Sequence, residues 1–332
     1  MSIESRIETF VKLGIELSKS PEQELQNAIV KSCLSNTWFT KKTIQDAIAA
    51  IIKNLTHEKL NQWLSTYTFS EVEKKKVFII MAGNIPLVGF HDLLCVLISG
   101  HQAIIKLSSK DAFLMKAIVN YISVINPQLY KDIQFVEKID KSFDAVIATG
   151  SNESFRQFDY YFKSYHKLLR KNRTSVAILD GSESLNDRKS LAKDIFMYYG
   201  LGCRNVSKIY VPKGYNLDFL FEVFFDYKDL LNNHKYANNY DYHKAIYMLG
   251  NQTFVENGFF IIKEDKSIHS PIGVLNVEYY DTKESVLNHL SSQSEQIQCI
   301  VGKEFVPFGQ AQSPQLSDYA DGVDTLLFLQ KF

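Results

Sequence analysis

Cys203 stands in Gly200-Leu201-Gly202-Cys203-Arg204-Asn205, just before the apolar run Val206–Val211. A thiol among glycines and beside a cation is unlike a core cysteine. Glycine lets the backbone bend sharply and leaves the thiol uncrowded. Arg204 favours the thiolate, the form that attacks carbonyl carbon. Such an attack needs a donor for the oxyanion it creates. Asn84, in Ala82-Gly83-Asn84-Ile85-Pro86, has an amide suited to that task, although an asparagine there also suits an ordinary turn. Lys106 closes Ala103-Ile104-Ile105-Lys106-Leu107. It is either a surface lysine or a cation facing the crevice where doubly wound sheets take nucleotides. Thr149-Gly150-Ser151-Asn152-Glu153 is either a capped helix start or a close approach for a phosphate at a helix N-terminus.

The elements around these residues follow from apolar spacing. Residues 1–70 read as helices, with Ile3, Ile7, Phe10, Val11 and Leu13 at helical spacing and Ser20-Pro21 as a helix start. From Lys76 the rhythm changes. Strands are expected over Val77–Met81, Ala103–Leu107, Asp132–Val136 and Asp144–Ala148, with helices over Leu87–Ser99, Asp111–Ile125 and Gly150 to about Phe162. That alternation predicts an α/β fold with a parallel, doubly wound sheet, while the sheet order is not readable. A second block starts near Ser175. Its strands are expected at Val176–Leu179, Ser207–Val211, Phe259–Lys263, Gly273–Val277 and Gln298–Val301. Its helices are expected over Glu183–Tyr199, Leu217–Leu231 and Tyr240–Leu249.

Composition narrows the function classes. The 332 residues are 45% hydrophobic and 22% charged, a globular composition. Lys+Arg and Asp+Glu both number 37, so nothing asks for a nucleic-acid or acidic-polymer partner. The four cysteines form no CxxC pair, and none of the eight histidines has HExxH spacing, so neither a disulfide framework nor a metal site is expected. Cys33, Cys95 and Cys299 read as small buried hydrophobes. His243 and His269 are weak candidates for a proton donor. The start is unlike a signal peptide and the run Leu93–Ile98 is too short for a membrane span, so a cytoplasmic location is the default. Phe219, Phe221, Phe224, Phe225, Phe259 and Phe260 either line an apolar channel or fill a core.

The order of the pieces resembles the aldehyde dehydrogenase superfamily, and more closely its acyl-CoA reductase branch, the LuxC family. The likeness runs from about residue 76 to the end, through Met81–Pro86, Ile105–Asp111, Ala148–Phe155, Gly200–Pro212 and Pro307-Phe308-Gly309-Gln310 with Asp321-Gly322. The resemblance implies Cys203 as nucleophile, at a cleft between domains, and Asn84 with the backbone N–H of Cys203 as oxyanion donors. It implies Lys106 on the adenosine ribose and Gly150 and Ser151 beside a nicotinamide cofactor. The implied domains are an N-terminal helical segment (1–75) packing on a Rossmann-like cofactor domain (76–174), an α/β catalytic domain (175–305), and a tail (306–332) returning to the cofactor domain.

Two departures from the superfamily pattern sharpen the expectation. Oxidising members carry a glutamate base where this chain reads Leu168-Leu169-Arg170-Lys171-Asn172-Arg173. Without a base to activate water, reduction of a thioester is favoured over oxidation of an aldehyde. Ser109, followed by Lys110, stands where relatives often have an acid. Losing a carboxylate beside the ribose suits a ribose phosphate, so NADPH is expected rather than NADH. The expected activity is reduction of a fatty acyl-CoA or acyl-carrier thioester to the aldehyde through an acyl-Cys203 intermediate. The rivals are an aldehyde or semialdehyde dehydrogenase, a non-redox cysteine acyltransferase or thioesterase, and an inert binding protein. Homo-oligomerisation and an acyl-transferring partner enzyme are left open.

Overall fold

The computed structural model describes residues 1–69, 73–139 and 142–331. In chain order the elements begin with four helices, α1 (Ile3–Ser18), α2 (Gln23–Ser35), α3 (Lys41–Asn54) and α4 (His57–Leu64). The hydroxyls of Ser2, Thr40 and Thr56 cap three of them, accepting N–H groups that the first turn leaves unpaired. The alternating part follows: β1 (Lys76–Ile80), α5 (Phe90–Ile98), β2 (Gln102–Lys106), α6 (Leu114–Ile125), α7 (Pro127–Tyr130), β3 (Ile133–Phe135), β4 (Ala145–Thr149), α8 (Asn152–Tyr161) and β5 (His166–Arg170). Next come β6 (Thr174–Ile178), α9 (Leu185–Phe196), β7 (Val206–Pro212), α10 (Asp218–Phe224), α11 (His234–Leu249), β8 (Val255–Glu256), β9 (Ile261–Glu264) and β10 (Val274–Tyr280). The last are α12 (Lys283–Ser292), β11 (Ile297–Val301) and α13 (Thr325–Leu329).

Several expected boundaries move. Helix α2 starts at Gln23 with Glu22 as its cap, rather than at Ser20-Pro21. Helix α5 starts at Phe90 because Leu87 takes a left-handed backbone (φ 56°), which a helix cannot include. Strand β5 and helix α12 were not anticipated. In β5 only Leu168 and Arg170 are buried, so the apolar signal of a strand is faint.

The chain divides into two units, Met1–Asn172 with Gln315–Phe332, and Arg173–Pro314. The first unit holds a five-stranded sheet of order β3-β2-β1-β4-β5, every pair parallel. Period-two alternation gives the sheet two apolar faces. Phe78, Val146 and Ala148 lie on one, with Phe143 and Phe162. Val77, Ile79, Ala103, Ile105 and Ile147 share the other core with α1, α5 and α6. The C-terminal residues tie into this unit. Trp63 Nε1 donates to Tyr319 Oη at 2.8 Å, and Arg170 Nη2 donates to Thr325 Oγ1 at 2.9 Å.

The second unit holds a six-stranded sheet of order β11-β6-β7-β10-β9-β8. It is parallel except for β8, which runs antiparallel to β9. Both units are thus parallel sheets flanked by helices, an α/β architecture.

Candidate functional site

In the first unit the chain steps outward from β1 to β2 and β3, then returns to lay β4 on the other side of β1. The strand order reverses between β1 and β4, and open α/β sheets take ligands at the carboxyl ends of strands beside such a reversal. Asn84 follows β1, Lys106 ends β2, and Gly150-Ser151 follow β4. All four lie on that one edge of the sheet. Asn84, Ser109 and Ser151 are exposed, and Lys106 and Gly150 are half-buried. Ser151 is also the N-cap of α8, accepting the Ser154 N–H at 3.2 Å. Gly150 is needed for close approach, since a Cβ there would lie 2.8 Å from Ser154 Cβ.

The loop bearing Asn84 is fastened to the loop bearing Ser109. A Cβ on Gly83 would stand 2.7 Å from Ser108 Oγ, so only glycine lets the two loops touch. Asp111, which the sequence offered as a helix start and as the end of the Ile105–Asp111 motif, lies buried between them. Its Oδ2 accepts the Leu87 N–H at 2.7 Å. Burial pushes its carboxyl up to about 6, against the pull of backbone donors from Leu87 and Leu114. At the end of β5 Arg170 is buried and paired with Asp92 of α5 at 2.7 Å.

In the second unit Cys203 lies at the amino end of β7. Asn205 N–H bonds the Gly202 carbonyl at 3.0 Å, so Gly202–Asn205 is a tight turn with the half-buried Cys203 at its corner. The residues before it are strained. Tyr198, Tyr199 and Gly200 all take left-handed backbones, with φ of 54°, 58° and 78°. For a non-glycine residue that conformation costs about 1–2 kcal/mol, and such strain collects at functional sites. Side chains hold the turn in place. The Asn205 amide oxygen accepts the Gly202 N–H at 2.8 Å, and its nitrogen lies 2.8–3.2 Å from the carbonyls of Asp194, Ile195 and Met197. Ser175 Oγ donates to the Cys203 carbonyl at 3.0 Å and accepts the Cys299 N–H at 3.2 Å. A cavity of about 30 Å³, with Tyr199, Gly200, Asn205 and Tyr236 among its lining, backs the turn. That is room for a water molecule or so.

Helix α9, which leads into the turn, is anchored by a second buried carboxylate. Asp194 accepts the N–H groups of Gly309 at 2.6 Å and Ala311 at 3.1 Å, fixing Pro307-Phe308-Gly309-Gln310. Burial pushes Asp194 up to about 6, against those two donors. Of the other candidates, Cys95 is buried as expected, whereas Cys33 and Cys299 are half-buried. Phe224, Phe259 and Phe260 pack around Phe196 with centroids 4.6–5.9 Å away, so they are core; Phe219 and Phe225 are about half exposed. His243 lies on α11 against Tyr242 and Tyr247, and His269 lies between β9 and β10. Among the described residues no cluster of His, Cys, Asp and Glu is arranged to hold a metal ion, and no helix is long and apolar enough to cross a membrane.

Residues 11–220 match the family model described as acyl-CoA reductase (LuxC). The chain belongs to this family. Its LuxC relatives include the long-chain acyl-protein thioester reductase 2 of Photobacterium leiognathi, 28% identical over 177 residues that cover 48% of this chain and 37% of that protein. The long-chain acyl-protein thioester reductase of Aliivibrio fischeri is 26% identical over 168 residues, 46% of this chain and 35% of that one. The match thus spans little more than a third of the length of these relatives. The fold is that of the aldehyde dehydrogenases. An indole-3-acetaldehyde dehydrogenase solved with NAD+ superposes with a TM-score of 0.65 at 15% identity, over 87% of this chain and 69% of that one. An aldehyde dehydrogenase from Pseudomonas aeruginosa gives 0.66 at 13%, over 90% and 76%.

Proposed function

We propose that the chain reduces a fatty acyl thioester, carried by CoA or an acyl carrier, to the aldehyde, with NADPH as reductant and Cys203 as nucleophile. The observation that carries this reading is the gathering of Asn84, Lys106 and Gly150-Ser151 at the carboxyl ends of β1, β2 and β4, beside the reversal in strand order. The donor set suits a dinucleotide with a ribose phosphate. Lys106 and Lys110 supply cations, Ser109 supplies a hydroxyl in place of a carboxylate, and Gly150 keeps the start of α8 free of a Cβ.

In this mechanism the Cys203 thiolate adds to the thioester carbonyl, and Asn84 with a backbone N–H stabilises the oxyanion. Losing one such donor costs about 3–4 kcal/mol of barrier. The carrier thiolate leaves and is protonated, and an acyl-Cys203 thioester remains. The nicotinamide, when bound, supplies a hydride to the acyl carbon. Collapse of the adduct then expels the aldehyde and returns Cys203 as thiolate.

Intact mass spectrometry with an acyl-CoA panel tests the reading. Wild type should gain one acyl group, Cys203→Ala none, and Asn84→Ala should acylate about 100-fold or more slowly. Aldehyde should form only when NADPH is added. Release of acyl product without NADPH, or oxidation of free aldehyde without CoA, would overturn it.

A further inference from the structure

We infer that Asp111 is a positioning residue that ties the Asn84 loop to the Lys106–Ser109 loop, so that one buried carboxylate sets both the oxyanion donor and the cofactor contacts. The inference rests on the roles proposed above for Asn84 and Lys106. Asp111 is 5% exposed, and its Oδ2 accepts the Leu87 N–H at 2.7 Å. Leu87 is the residue that turns the loop back after Asn84, in a left-handed conformation that a leucine does not favour (φ 56°). A charge-assisted bond from a buried acceptor is strong enough to hold it there.

From its other side Asp111 belongs to the second loop. Its own N–H bonds the Ser108 carbonyl at 3.1 Å, and the Lys110 N–H bonds Ser108 Oγ at 3.2 Å. The Met81 N–H bonds the Lys106 carbonyl at 3.1 Å, so the loops are already joined where they leave the sheet. Gly83 completes the interlock, since an added Cβ would stand 3.1 Å from the Asp111 nitrogen and 2.7 Å from Ser108 Oγ. Asn36 of the helical segment donates to the Lys110 carbonyl at 3.2 Å and braces the outside. Asn84 and Ser109 are both exposed on these loops. Behind them the buried Asp111 bonds both loops, through the Leu87 N–H and the Ser108 carbonyl.

The test compares full-length wild type, Asp111→Ala and Asp111→Asn in two measurements, the rate of Cys203 acylation by an acyl-CoA and the Kd for NADPH from fluorescence titration. Peptide-mapped alkylation of Cys203 by iodoacetamide serves as the control. Asp111→Ala should slow acylation at least tenfold and weaken NADPH at least fivefold, with alkylation of Cys203 within twofold of wild type. Asp111→Asn keeps an acceptor for Leu87 and should fall between, with both constants still changed by more than twofold. A purely structural role would lower the folded fraction and leave both constants unchanged. Should Asp111→Ala not fold, the Asn variant carries the same two readouts. Either constant staying within twofold of wild type in the folded variant overturns the inference. A wild type that is neither acylated nor binds NADPH would instead end the functional reading itself.

Discussion

The side-chain oxygen of Asn205 accepts the Gly202 N–H at 2.8 Å, one residue before the proposed nucleophile. The same side chain donates to carbonyls at the end of α9, so it closes that helix and shapes the Cys203 turn together. Asn205→Ala removes all of these bonds at once in a buried place. Each orphaned polar group costs about 1–3 kcal/mol. Urea unfolding should therefore show a loss of about 3 kcal/mol or more, and the folded remainder should acylate slowly because the Gly202–Asn205 turn is no longer braced. Unchanged acylation in a stably folded Asn205→Ala would show that the turn needs no such brace.

Ser109 should govern cofactor choice. A carboxylate there would repel a ribose phosphate and accept hydrogen bonds from free ribose hydroxyls. Ser109→Glu is expected to move the ratio of kcat/KM for NADPH over NADH at least tenfold toward NADH. An unmoved ratio places the discrimination elsewhere.

Arg170 and Asp92, both buried, should reveal their coupling in a double-mutant cycle. Arg170→Met alone leaves the Asp92 carboxylate buried without its cation, which typically costs about 3–5 kcal/mol. Adding Asp92→Leu should recover most of the loss, since a packed apolar pair substitutes well for a buried ion pair. Additive losses in chemical denaturation would contradict that expectation.

Asp194 should leave a mark on the pH dependence of stability. Its carboxyl rises from 3.8 to about 6 on folding through burial, so the folded chain holds the proton more tightly than the unfolded one. The resulting stabilisation is fully present below the unfolded value and is lost as pH rises through about 6. Between pH 4.5 and 7.5, at about 1.4 kcal/mol per pH unit, wild type should lose roughly 2 kcal/mol relative to Asp194→Asn. Paired denaturation curves at the two pH values measure it. A gap that stays constant with pH would mean that Asp194 remains ionised throughout.

The residues proposed to face a ligand could be named in the sequence because their signals are local. A buried parallel strand is a short apolar run, and the loop leaving its carboxyl end lies on the ligand edge, so Asn84, Lys106 and Gly150-Ser151 could be named from their neighbours. The glycines around Cys203 were equally visible. The faint strand β5 was missed because only two of its side chains are buried. What only the tertiary structure decided is the backing of those residues. The strand order, and with it the reversal between β1 and β4, comes from pairing at long range. Asp194 reaches amides 115 and 117 residues away, and Arg170 meets partners 78 and 155 residues away. A buried carboxylate has no sequence period of its own. Its partners are chosen by which loops the packed sheets bring together, so Asp111, Asp194 and Asn205 became recognisable only once the chain was folded.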